Sequence, residues 1–248
     1  MKKDIENILV IENLSKTIKK TEILKSISFG VKEGSFHGFI GANGAGKTTT
    51  IRSIVGSYSQ YSGKILINGI NSQEKEAKSF IGYVPERPIF PSKQSVLTYL
   101  TYMGTLSNLR KAESKKKAME LLEEFNIMEF AEENPNRLSS GQKKKVILIQ
   151  ALMNEPKLII MDEPASNLDP IARHELFERL KKLNKKGVTI FITSHILIEL
   201  EQYVDSVTMI SHGNIAFSGS MSDIQNKGTL MQSFLNLVKK GDLNEKSN

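Results

Sequence analysis

The sequence predicts an α/β fold: a core built on a mostly parallel sheet, an antiparallel β part at the N-terminus and an inserted helical subdomain. Three observations carry that expectation. Apolar runs of buried-strand length recur at Phe36 to Ile40, Leu158 to Met161 and Val188 to Thr193, each followed by a loop and a helical stretch. That alternation favours parallel strands joined by crossover helices. Near the N-terminus, Ile8 to Ile11 and Ile23 to Phe29 alternate or cluster apolar residues, and Ile65 to Ile67 runs into Asn68-Gly69, a hairpin-type turn signal. From about Val96 to Asn154 the apolar period becomes helical, with Leu97, Leu100, Met103 and Leu106, then Ala118, Leu121, Leu122 and Phe125.

Along the chain, the strand at Phe36 to Ile40 leads through a glycine-rich loop into a helix over Thr48 to Val55. A further strand at Ile81 to Val84 precedes the helical lobe, in which Lys115 to Lys117 read as a solvated helix face. A helix runs from Gln142. Val207 to Ile210, the turn His212-Gly213-Asn214 and Ile215 to Phe217 predict a hairpin, and Thr229 to Lys239 a last helix. The expected organisation is one domain over about 5–240, its core about 5–85 and 156–220 and its helical subdomain about 86–155. Residues 241–248 are expected to form a frayed tail. No internal repeat or low-complexity linker is present.

The 248 residues, 39% hydrophobic and 25% charged, are enough for a sizeable core. Cysteine is absent, which excludes disulfides and thiolate-ligated zinc. The opening Met-Lys-Lys-Asp-Ile-Glu-Asn is followed by no apolar leader region, so secretion is not expected. No run approaches the roughly 20 apolar residues of a membrane helix, so any spanning segment belongs to a partner. The net charge of +7 fits nucleic acid, anionic lipid headgroups or a plain lysine-rich composition. Lysines dominate and no aromatic-interleaved basic stripe occurs, which favours the last; no nucleic acid is expected as a partner.

Gly41-Ala42-Asn43-Gly44-Ala45-Gly46-Lys47-Thr48 fits G-x-x-x-x-G-K-[ST] and lies between an apolar strand and a helix, which makes the core a P-loop nucleotide-binding core. Glycines there let backbone N–H groups curl around phosphate oxygens at a helix N-terminus. Lys47 is placed to reach the β- and γ-phosphates and Thr48 to ligate Mg²⁺, with the backbone of Asn43 to Thr49 around the phosphate chain. Asp162 follows its strand directly, at the end where open α/β sheets bind ligands, and is the second Mg²⁺ candidate. Glu163 adds a carboxylate able to orient or deprotonate a water.

With Leu138-Ser139-Ser140-Gly141-Gln142 the chain resembles the ATP-binding subunits of ABC transporters, whose signature has this form. Ala165-Ser166-Asn167-Leu168-Asp169 resembles the family's D-loop and Thr193-Ser194-His195 its switch histidine; the resemblance spans about Ile8 to about Gly219. It implies Mg-ATP hydrolysis between two domains paired head to tail, in a homo- or heterodimer. Ser139, Ser140, Gly141 and Gln142 of one subunit would then face the γ-phosphate held by the other, with His195 contacting it and Asp169 coupling the two sites. It also implies a separate transmembrane permease and a peripheral place at the cytoplasmic face of the cell membrane, reached through that permease alone.

Two departures stand out. Glu86, in Gly82-Tyr83-Val84-Pro85-Glu86, occupies the position where the family usually has glutamine; a carboxylate there can reach Mg²⁺ or water, and this form is similar to that of many exporter subunits. Export is the expected direction. The adenine-stacking aromatic is replaced by Thr17 and Ile18, which leaves Tyr58 or another ring to substitute.

A soluble ABC ATPase acting on ribosomes or DNA is the alternative, opposed by the single cassette and the short helical insert. A nucleotide sensor that barely hydrolyses ATP is opposed by Glu163 and His195. The i, i+4 spacing of His195 and Glu199 suits zinc only with a third ligand, and none is evident. His37, His174 and His212 have no motif context and read as packing or surface residues.

Overall fold

The computed structural model describes residues 6–226 and 228–245. In chain order it contains β1 (Asn7–Ile18), β2 (Thr21–Lys32), β3 (Phe36–Ile40), α1 (Lys47–Ile54), β4 (Ser62–Ile67), β5 (Ile70–Asn71), α2 (Lys75–Ser79) and β6 (Ile81–Val84). The helical lobe follows as α3 (Val96–Leu106), α4 (Lys111–Glu124) and α5 (Ser140–Leu152). The chain then returns through β7 (Leu158–Met161), α6 (Pro170–Lys185), β8 (Thr189–Thr193), α7 (Leu197–Leu200), β9 (Ser206–Ser211), β10 (Asn214–Ser220), α8 (Met221–Gln225) and α9 (Leu230–Glu245).

The central sheet has six strands in the order β10-β9-β3-β8-β7-β6. All its pairings are parallel except β9 with β10, the predicted C-terminal hairpin. Every residue of β3, β7 and β8 is buried, which is why these strands read as continuous apolar runs. Alternate residues feed opposite faces: Leu158, Ile160 and Phe191 join one apolar cluster, whereas Ile159, Met161, Ile190 and Ile192 join another. The first cluster lies under the antiparallel sheet β2-β1-β4-β5; the second takes in the helical lobe, including Leu100, Leu122 and Ile149. β1 and β2 are longer than their apolar runs because ladder pairing continues through polar positions such as Thr17 opposite Glu22.

Lys116 and Lys117 of the lysine run pair with Glu120 and Glu155, at 3.8 and 2.6 Å. At the C-terminus, α9 continues to Glu245, so helix extends past Gly241, where a frayed tail is expected; 246–248 lie outside the described residues. No helix among the described residues is long and apolar enough to cross a membrane.

Candidate nucleotide site

The C-terminal ends of β3 and β7 place the glycine-rich loop beside Asp162 and Glu163. Gly41 passes so close to β9 that an added Cβ would stand 2.5 Å from the Ile210 carbonyl oxygen. Gly46 adopts φ +114 with Leu24 in the way of any side chain, so both positions require glycine. The first bond of α1 runs from Thr50 N–H to the Gly46 carbonyl at 2.9 Å, and the N–H groups of Lys47, Thr48 and Thr49 therefore have no intrahelical acceptor. Ala45 N–H turns inward, to Ala42 O at 3.1 Å. The loop, Thr48, Glu86, Glu163 and His195 share one cleft of about 760 Å³.

Lys47 is buried; its Nζ donates to the carbonyls of Gly41 (2.7 Å) and Ala42 (3.3 Å) and lies 3.9 Å from Glu163. Asp162 is 3% exposed and accepts from Thr193 Oγ1 at 3.0 Å. Burial pushes its carboxyl above the usual range; the Thr193 and Thr48 hydroxyls oppose that shift, and the Glu163 and Glu86 carboxylates add to it. A cation beside Thr48 and Asp162 would relieve this crowding of negative charge. The donors are oxygens, which suits Mg²⁺. Among the described residues no three His, Asp or Glu side chains form a metal centre alone.

Glu163 adopts φ 46, a left-handed conformation costly for a side chain of this size. Its N–H donates to Thr193 Oγ1 at 2.8 Å, Ser166 Oγ donates to its carbonyl at 2.8 Å, and one carboxylate oxygen lies 2.8 Å from His195 Nδ1 and accepts from His195 N–H at 3.2 Å. His195 is thus placed on Glu163, while Glu199 pairs with Arg173 at 3.2 Å. Glu86 is half exposed, with Arg87 3.6 Å away.

Ser139 to Gln142 do not line this cleft. Ser139 caps α5: its Oγ accepts from Gln142 N–H at 3.3 Å and its N–H donates to Gln142 Oε1 at 2.8 Å. This capping box gives Gln142 a local role, and of the signature amides Ser140 and Gly141 are the ones it leaves uncommitted. Asp169 caps α6, accepting from Ala172 N–H at 2.9 Å. Ile18 lines the cleft with Lys19, Thr21 and Ile23, and no aromatic ring joins them. Tyr58 packs instead against Lys16 and Arg52, so it does not replace the missing ring.

Thr193, which joins Asp162 to Glu163, and the cleft residue Ser166 are additions to the residues expected from sequence. Both stand in motif runs that the sequence shows, Thr193 beside Ser194-His195 and Ser166 beside Ala165, without a role that the sequence assigns. Of the histidines, His37 is buried between Phe29 and Phe191, and burial lowers its pKa to about 3.

The family model described as "ABC transporter" matches residues 24–166. An ABC transporter ATP-binding protein of Mycoplasma pneumoniae is 45% identical over 207 residues, which are 83% of this chain and 64% of that protein. This chain therefore spans less than two thirds of that relative. The Nod factor export ATP-binding protein I of Rhizobium etli is 35% identical over 218 residues, 86% of this chain and 68% of its own. Among solved structures, the ATP-binding subunit of an ABC transporter superposes with a TM-score of 0.84 at 31% identity, covering 93% of this chain and 99% of that one. A family match over more than half of the sequence, with the same fold around it, places the chain in the ABC transporter family, among its ATP-binding domains.

Proposed function

We propose that this chain pairs head to tail with a second ATP-binding subunit, and that Mg-ATP hydrolysed between them drives a separate transmembrane permease in the export direction. The carrying observation is the division of the site: Lys47, Thr48, Glu163 and His195 share one cleft, and Ser139 to Gln142 lie outside it. A facing copy would bring Ser140 and Gly141 amides and the positive end of α5 to the γ-phosphate.

In this reading Lys47 leaves the loop carbonyls for the β- and γ-phosphates, while Thr48 and Asp162, with Glu86 nearby in the cleft, would hold Mg²⁺. The ion supplies charge neutralisation on the phosphate oxygens. Glu163 takes a proton from water as the water oxygen bonds to the γ-phosphorus; the bond from that phosphorus to the bridging oxygen breaks and ADP leaves. His195 orients the Glu163 carboxylate and meets the γ-phosphate, and Asp169 relays the state of one site to the other. Export is supported by the Nod factor export relative and by Glu86. The domain limits proposed are 5–240, with the helical subdomain at 86–155 and the site at the cytoplasmic face of the membrane.

Mixing Ser139→Ala with Lys47→Ala chains tests the pairing, because a mixed dimer keeps one intact site of two. Turnover in the mixture that neither variant shows alone is expected; a mixture as inactive as its parts removes head-to-tail pairing. Tagged protein extracted in detergent should bring down an integral membrane protein. Recovery of ribosomes or DNA in its place would remove the permease.

A further inference from the structure

Lys144, on the second turn of α5, is 7% exposed. Its ammonium crosses from the helical lobe to the loop after β6 and donates to the carbonyls of Pro85 at 3.3 Å and Glu86 at 2.5 Å. Its neighbour Lys145 makes an ordinary exposed pair with Glu175 at 3.5 Å, the kind that contributes little. A buried ammonium is different, because leaving water is costly unless its donors are satisfied in a fixed geometry. Burial lowers the Lys144 pKa to about 8, against the pull of the Glu86, Asp162 and Glu163 carboxylates. One side chain therefore joins three things: the helix that starts at Ser139, the backbone that carries Glu86 into the cleft, and the field of three site carboxylates.

We propose that Lys144 is a positioning residue that locks the Glu86 loop to the signature helix, so that Glu86 moves with Ser139 when a facing nucleotide is engaged. The inference rests on the composite site proposed above. It assigns Lys144 no contact with nucleotide. Its ammonium also offsets the extra negative charge that Glu86 brings beside Asp162, which would otherwise add to the repulsion around the phosphates.

The test uses the full chain with Lys144→Gln and Lys144→Arg, reading amide hydrogen exchange over 85–92 against the core strands β3 and β8, together with ATP turnover. Lys144→Gln is expected to speed exchange in that segment selectively and to lower kcat about tenfold with KM within about twofold, and Lys144→Arg, which keeps charge and donors, to restore both. Unchanged exchange in Lys144→Gln overturns the proposal, and so does faster exchange with unchanged kcat. If Lys144→Gln does not fold, Lys144→Met, which keeps the aliphatic stem, takes its place. The exchange is read on a single chain without a facing copy, so a failure of head-to-tail pairing, seen in the mixing experiment, is distinguishable from a failure of the lock.

Discussion

His195 Nδ1 stands 2.8 Å from one oxygen of Glu163, whose other oxygen lies 3.9 Å from Lys47 Nζ. The carboxylate is thus held between a ring from the end of β8 and an ammonium from the start of α1. With its backbone at φ 46, Glu163 has little freedom left, which is what a base that must meet one water in one orientation needs.

Glu163→Gln keeps the size and the hydrogen bonds to His195 but cannot take a proton. Turnover should fall by about 10²–10⁴, the usual worth of a general base, while ATP binding persists. Rapid-quench hydrolysis beside equilibrium nucleotide binding checks both; turnover near wild type would take the base role from Glu163.

Thr193→Val removes a buried donor from Asp162 and the partly buried acceptor of Glu163 N–H. The loss should be about 1–3 kcal/mol of stability, with more Mg²⁺ needed for half-maximal turnover. Thr193→Ser should recover both. Denaturant unfolding and a Mg²⁺ titration of turnover make the measurement.

His37 is neutral in the fold, its Nδ1 2.8 Å from Ser206 Oγ and its Nε2 3.0 Å from Thr208 Oγ1. With its pKa lowered to about 3, the folded chain refuses a proton that the unfolded chain accepts below its ordinary value of 6.5. Its contribution to stability is complete above that value and is lost as pH falls towards 3, at about 1.4 kcal/mol per pH unit. Unfolding curves of wild type and His37→Gln at pH 7.5, 6 and 5 should converge as the pH drops; parallel pH dependences would exclude His37 as the source.

Ile18 offers an aliphatic surface where a ring would stack on a base. Ile18→Tyr should tighten ATP and GTP binding about tenfold or more, since stacking on an aromatic face is worth about 1–3 kcal/mol. Fluorescent nucleotide displacement reads this directly. Unchanged affinities for both would show that the base does not lie against Ile18.

The parts of the fold and site most visible in the sequence are those where backbone geometry or burial on two faces restricts residue choice. Gly41 and Gly46 are required by close approach and by φ, and β3, β7 and β8 are apolar throughout because both their faces are covered. The helical stretch after β7 is legible but the extent of α6 is not, although Asp169 and Pro170 are a strong helix start, because its buried residues Leu176, Phe177, Leu180 and Leu183 sit among many charges. The roles of Thr193 and Lys144 are not legible in the sequence for a different reason: they depend on partners 30 or more positions away, at Asp162, Glu163, Pro85 and Glu86. Gln142 was legible as part of a motif, and its return bond to Ser139 could have been read from the Ser-x-x-Gln spacing.

That return bond bears on how two chains would meet. With both arms of the Ser139–Gln142 cap closed within one chain, the start of α5 is already ordered before any partner arrives. Association then costs rotational and translational freedom but no loop ordering at this end of the interface. In the pairing proposed above, encounter would be a rigid-body event on that side, and the surface offered to the facing phosphate would not have to fold first.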